Sequence, residues 1–194
     1  MGEGILAAVQ PSVDKRRKRR RGEDFRSCVP RVVHVPTPPS DARRMLRLAD
    51  LKPYETLYDL GCGTGSILLE AARSYKEVKC VGIETDLQLV KEARKRVEQQ
   101  KLQSRVKIIH GNFFEKRFWS HQNPGKKLPF AVRNADVITL YLIQKVNNLL
   151  QPLLAKEVRE GTRIVSRNYT MENWVDFGTS SLHLYVAGRS FKLE

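Results

Sequence analysis

The chain has 194 residues, 41% of them hydrophobic, enough for one domain with a buried core. No run of 18 apolar residues occurs, so no membrane-spanning helix is expected. The three cysteines (Cys28, Cys62, Cys80) suit neither a disulfide framework nor a CxxC metal pair. The net charge is +14, and it is spread along the chain: nine Lys/Arg and four Asp/Glu precede residue 35, and 26 and 17 follow. A basic body of this kind suits a nucleic acid, an acidic partner, or work close to nucleic acid.

Residues 1–30 are polar, highly charged and without hydrophobic periodicity, so they are expected to be a disordered basic tail, with the folded domain spanning 31–194. The run KRRKRRR at 15–21 has the composition of a nuclear localisation signal or a nucleic-acid tether. Glu3, Asp14, Glu23 and Asp24 argue against a mitochondrial presequence, and the start lacks the basic and apolar regions of a secretory signal. Free thiols agree with a reducing compartment, so the expected location is cytoplasm or nucleus.

Pro36, Pro38 and Pro39 stiffen a lead-in segment, and Ser40 stands where the N-cap of an amphipathic helix, DARRMLRLADL, would fall. Strands and helices then alternate. TLYDLG, KCVGIET, RVKIIHGN, ADVITLYL and TRIVSRNY are short apolar strands. GSILLEAARSY, DLQLVKEARKRVEQQKL and IQKVNNLLQPLLAKEVR are helices, the last expected to break near Pro152. Residues 115–134 form an irregular connection, and SLHLYVAGRS alternates as a final strand. This order predicts an α/β fold: a Rossmann-like, doubly wound, mostly parallel sheet with helices on both faces.

In such a sheet, ligands bind beyond the carboxyl ends of the strands. The first strand ends in Asp59, and Gly61, Gly63 and Gly65 follow within five residues. That spacing fits neither the G-x-G-x-x-G dinucleotide fingerprint nor a P-loop, which needs a Gly-Lys pair. It fits D-x-G-x-G-x-G, which resembles motif I of the class I, or seven-β-strand, S-adenosylmethionine-dependent methyltransferases. The expected cofactor is therefore S-adenosyl-L-methionine, held by Asp59, Gly61, Cys62, Gly63 and Gly65. Glu84, at the end of the second strand, is placed to accept hydrogen bonds from ribose hydroxyls. Asn112 and Phe113, after the third strand, are placed to offer an amide and an aromatic face to adenine. The four histidines are scattered without ligand spacing, so no metal is expected.

Further stretches narrow the resemblance. VPTP at 35–38, GNFF after the third strand, TLYL in the fourth, then Asn147, Leu150 and Pro152, and EGTRIVS at 160–166 occur in this order. Together they resemble a group of protein lysine methyltransferases. It includes the broad-specificity archaeal enzyme and the mitochondrial ATP synthase c-subunit and adenine nucleotide translocase lysine methyltransferases. The likeness covers about residues 31–190. The group usually carries G-C-G-D-G-R where this chain has Gly61 to Ser66 with Thr64 and Ser66, and V-S-H where it has Val165-Ser166-Arg167. The resemblance implies methyl transfer to the side-chain amine of lysine in a protein substrate. The acceptor channel would then lie at the end of the fourth strand and under the proline-rich lead-in, which nominates Tyr141, Thr139 and Thr37. The alternative is an RNA or DNA methyltransferase using the same cofactor. The charge favours it, whereas TLYL replaces the Asn/Asp-Pro-Pro-Tyr/Phe of enzymes that methylate base amines.

Overall fold

The computed structural model describes residues 35–193. The expected basic tail, its 15–21 run and the start of the domain at residue 31 lie outside the described residues. Among those described, no helix is long and apolar enough to cross a membrane.

The elements in chain order are α1 (Pro39–Leu48), β1 (Thr56–Leu60), α2 (Ser66–Ser74), β2 (Lys79–Glu84), α3 (Leu87–Gln99), β3 (Val106–His110), β4 (Val137–Leu140), α4 (Gln144–Glu157), β5 (Arg163–Arg167) and β6 (Leu182–Val186). The strands form one sheet in the order β3-β2-β1-β4-β5-β6. All neighbours are parallel except β5 and β6. The order reverses direction between β1 and β4, and a ligand crevice opens beyond the strand ends at that switch. Six strands are described, where the class is named for seven.

The strands are short and nearly continuous in apolar residues because both faces of a parallel sheet are covered. Leu57 of β1 pairs with Val137 of β4, and Val165 lies on the same face of β5, two residues beyond Val137's partner Arg163. They share a core with Met45 and Leu46 of α1, Leu68 and Leu69 of α2, and Val90 and Val97 of α3. The alternate residues face the other way: Ser166 of β5 meets Asn147 of α4 through an Nδ2–Oγ hydrogen bond of 3.1 Å.

Two boundaries depart from expectation. Ser40 does not cap α1. The helix starts at Pro39 with Pro38 at the cap position, because a proline in the first turn has no N–H to satisfy and its φ already suits a helix. Nor does α4 break at Pro152. Both Pro152 and Asn148, whose carbonyl loses its usual partner four residues on, are exposed, so water can replace the missing bond.

The 115–134 connection is more ordered than its composition suggests. It holds three short 3-10 turns, Lys116–Phe118, Ser120–Gln122 and Val132–Asn134. Phe118, Trp119 and Val132 are buried, each aromatic contributing on the order of 2–3 kcal/mol. Buried Glu157, the last residue of α4, accepts the backbone N–H groups of Ser120 (2.6 Å) and His121 (3.0 Å).

Two arginines on one face of β5 hold α1 by its two ends. Arg163 donates to the carbonyls of Ala49 (3.1 Å) and Asp50 (2.8 Å), just past the helix. Arg167 pairs with Asp41 in its first turn. Both charges match the helix dipole: a cation at the carbonyl end and an anion at the amino end.

Candidate cofactor site

The loop after β1 turns on three glycines, and each has a positive φ: +82° at Gly61, +52° at Gly63 and +77° at Gly65. A side chain is strained in that region, which explains the residue type at all three positions. At Gly61 a Cβ would also stand 2.8 Å from Leu142 Cδ2 and 4.0 Å from Phe113 Cε1. Residues beyond β3 and β4 therefore converge on the loop backbone. Beneath it, Gly82 of β2 leaves room for Cys62 and Leu68, since a Cβ there would come within 2.6 Å of both side chains.

Two buried carboxylates flank this loop. Asp59 Oδ1 accepts the Thr139 hydroxyl at 2.9 Å. Burial pushes the Asp59 carboxyl up to about 7, the Thr139 hydroxyl opposes the shift and the neighbouring Glu84 charge adds to it. Glu84 organises the loop: its Oε2 accepts Gly63 N–H at 2.9 Å, and its Oε1 accepts the N–H groups of Thr85 (2.7 Å) and Asp86 (2.9 Å). Oε1 also takes the Thr85 hydroxyl, so the acceptor capacity left for a ligand is mainly on Oε2. Burial, then the charges of Asp59 and Glu84, push the Cys62 thiol well above its usual range, so Cys62 serves the loop by packing rather than as a nucleophile.

Asn112 makes a local turn, its Oδ1 accepting Phe114 N–H at 2.9 Å, which leaves Nδ2 as the side-chain donor. Phe113 is buried, and its carbonyl accepts the indole N–H of Trp119 at 2.7 Å. Trp119 is a site-forming residue that the sequence reading missed. Its only sequence signal is a pair of adjacent aromatics, Phe118 and Trp119, inside a basic connection.

The three residues nominated for the acceptor channel do not form one cluster. Thr139 is fully buried beside Asp59, so it positions that carboxylate. Tyr141 lies just beyond β4 with the Arg167 guanidinium 4.4 Å above its ring. Thr37 lines a cleft of about 440 Å³ with Thr64, Ser66 and Arg96. There Arg96 of α3 donates to the carbonyl (2.9 Å) and hydroxyl (2.8 Å) of Thr64. A guanidinium from a neighbouring helix thus braces the end of the glycine loop just before α2. Trp174 stacks on Phe191 at 3.6 Å and meets Tyr185 edge-on, a packing role.

A carboxylate pair this deeply buried, with no basic group countering the Asp59 shift, fits a cationic ligand. S-adenosyl-L-methionine, with its sulfonium and ammonium groups, is such a ligand, and its ribose and adenine suit Glu84 and the Asn112–Phe113 corner. The fold and the loop define a class I S-adenosylmethionine-dependent methyltransferase. Residues 59–177 match the model of the ANTKMT methyltransferase domain, and the chain belongs to that family. A protein-lysine N-methyltransferase of Saccharolobus islandicus is 35% identical over 171 residues, 84% of this chain and 98% of that protein. A solved RNA methyltransferase from Salinibacter ruber, bound to S-adenosyl-L-homocysteine, is 32% identical. Its TM-score is 0.66, over 81% of this chain and all of that one. A methyltransferase from Geobacter sulfurreducens, also bound to S-adenosyl-L-homocysteine, shares the fold at 22% identity, with a TM-score of 0.53 over 69% of this chain and 49% of its own.

Proposed function

We infer that the chain is a protein-lysine N-methyltransferase, transferring a methyl group from S-adenosyl-L-methionine to the side-chain amine of lysine in a protein substrate. The observation that carries this is the 35% identity to an archaeal protein-lysine N-methyltransferase across 98% of that protein. The bound cofactor supplies the methyl group already activated, so no residue of the chain has to generate the electrophile. The chain must align the amine, exclude water and receive the amine neutral, because an ammonium has no lone pair to attack with. Ionised Asp59 would supply a counter-charge for the cofactor's ammonium, and Glu84 would hold a ribose hydroxyl. Tyr141, beyond the end of β4, walls the acceptor side and offers its hydroxyl oxygen to the incoming amine.

A second assignment, methylation of RNA, is favoured by one observation: the solved Salinibacter ruber RNA methyltransferase matches over its whole length at 32% identity. Incubation with labelled S-adenosyl-L-methionine and a methylation-deficient extract separates the two. Label released by protease and recovered as methyl-lysine supports the first, and label released only by nuclease moves the assignment to RNA. We also propose that residues 15–21 tether the enzyme to nucleic acid, in the cytoplasm or nucleus. Deletion of residues 1–30 is expected to spare activity on a free peptide and to weaken it several-fold on a nucleic-acid-bound protein. Equal loss on both substrates would rule the tether out.

A further inference from the structure

Arg167 is the last residue of β5, and neither the cofactor site nor the acceptor assignment accounts for it. The register explains its surroundings. Leu140 pairs with Ser166, so the next residues, Tyr141 and Arg167, stand side by side at the carboxyl ends of β4 and β5. The guanidinium carbon lies 4.4 Å from the centre of the Tyr141 ring, and Nη2 reaches Asp41 Oδ2 at 2.5 Å. The Arg167 and Asp41 side chains are only 17% and 19% exposed. One cation therefore touches both the aromatic residue of the acceptor side and a carboxylate three residues past the VPTP segment.

We propose that Arg167 is a positioning residue of the acceptor site, orienting Tyr141 and cancelling the charge of Asp41 so that lysine enters as the neutral amine. This rests on lysine being the acceptor. An arginine stacked on an aromatic face restricts the ring and fills that face, leaving the other for the aliphatic chain of the substrate. Its charge also matters. Without Arg167, Asp41 keeps only the half-exposed Arg44 at 3.4 Å, and a partly buried carboxylate so weakly countered would favour the ammonium, which cannot attack. Among the described residues, Arg44 on α1 also donates to Asp41, and Asp59 stands at the end of β1. His183, paired with Asp176, stands opposite Ser166 and so on the other face of the sheet. Burial, Thr139 and Glu84 are what act on the Asp59 carboxyl, and Arg167 is not among them.

The test is a kcat–pH profile from pH 6 to 10 on a lysine peptide at saturating cofactor, for the wild type, Arg167→Gln, Asp41→Asn and the double variant. In Arg167→Gln the acid limb is expected to move up by about one pH unit, so that the rate at pH 7 falls about tenfold while the rates converge near pH 10. Removing Asp41 as well takes away the carboxylate, and the limb is expected to return to its wild-type position. A structural role alone predicts a loss of equal size at every pH, with the double variant no better than the single one. That result, or an unmoved acid limb, would overturn the proposal. Wild-type protein that leaves no methyl-lysine on any peptide would instead overturn the assignment of lysine as acceptor, and the proposal with it.

Discussion

Replacing Asp59 with Asn is expected to weaken cofactor binding and to stabilise the empty protein at the same time. The Asp59 carboxyl titrates at about 7 in the folded chain against a usual value of 3.8, because burial opposes its charge. Between those two values the folded state holds a proton that the unfolded state has released. Stability therefore falls as pH rises from about 4 to 7 and stays low above. Three pKa units correspond to roughly 4 kcal/mol as an upper bound, and relaxation around the site makes about 2–4 kcal/mol the expectation. Asn is nearly isosteric, still accepts the Thr139 hydroxyl and carries no charge to desolvate. At pH 8 its melting temperature should exceed that of the wild type by roughly 5–10 °C, and at pH 4 the two should nearly coincide. Titration calorimetry should show the opposite ordering for S-adenosyl-L-methionine, with affinity lower by roughly 10- to 100-fold for loss of a charge-assisted contact. In the wild type, binding near pH 6 should release up to one proton, because a cationic ligand favours ionised Asp59. A variant that is both less stable at pH 8 and undiminished in affinity would contradict the role given to this carboxylate.

The second large effect is expected at Glu84, and there stability and binding should fall together. Its two oxygens accept three backbone N–H groups, one from the glycine loop and two from the start of the turn into α3. Glu84→Ala orphans all three. Each orphaned donor costs about 1–3 kcal/mol, partly recovered by water, so a net loss of about 3 kcal/mol is expected. That corresponds to a drop in melting temperature of roughly 6–12 °C for a domain of this size. Freed from Glu84, Gly63 no longer holds the loop against β2, and cofactor binding should fall by more than 100-fold in calorimetry. Glu84→Gln separates the two duties. A Gln side chain has a single acceptor oxygen, so it can serve either Gly63 or the Thr85–Asp86 pair, but not both. It should recover about half of the lost stability and little of the affinity. Full recovery of binding in Glu84→Gln would mean that the carboxylate's second oxygen is dispensable.

What could be read in the sequence was whatever repeats with a local period or punctuates one. The alternation of apolar strands and amphipathic helices carried the sheet, because each strand buries both faces and each helix one stripe. Asp59, Gly61, Gly63, Gly65 and Glu84 were legible because strand ends and left-handed turns restrict residue choice locally. Glu84 was legible as a carboxylate at a strand end but not as the acceptor that braces Gly63. That contact joins residues 21 apart across two strands, and no local pattern encodes it. Trp119 and Arg96 were missed for the same reason, since each reaches the site through a tertiary contact from a segment that reads as connection or helix surface. Pro152 misled because its local rule is sound in an interior, and the exposure that relaxes it is a property of the fold.

The anchoring of Trp119 gives the protein an internal optical reporter. Of its two tryptophans, one is buried with its indole fastened to the Phe113 carbonyl, and the other, Trp174, is stacked on Phe191 near the far edge of the sheet. Trp174→Phe leaves a single fluorophore whose emission senses the corner where Phe113 approaches the glycine loop. Occupancy of that corner can then be followed by light in real time, without label, in every variant described above.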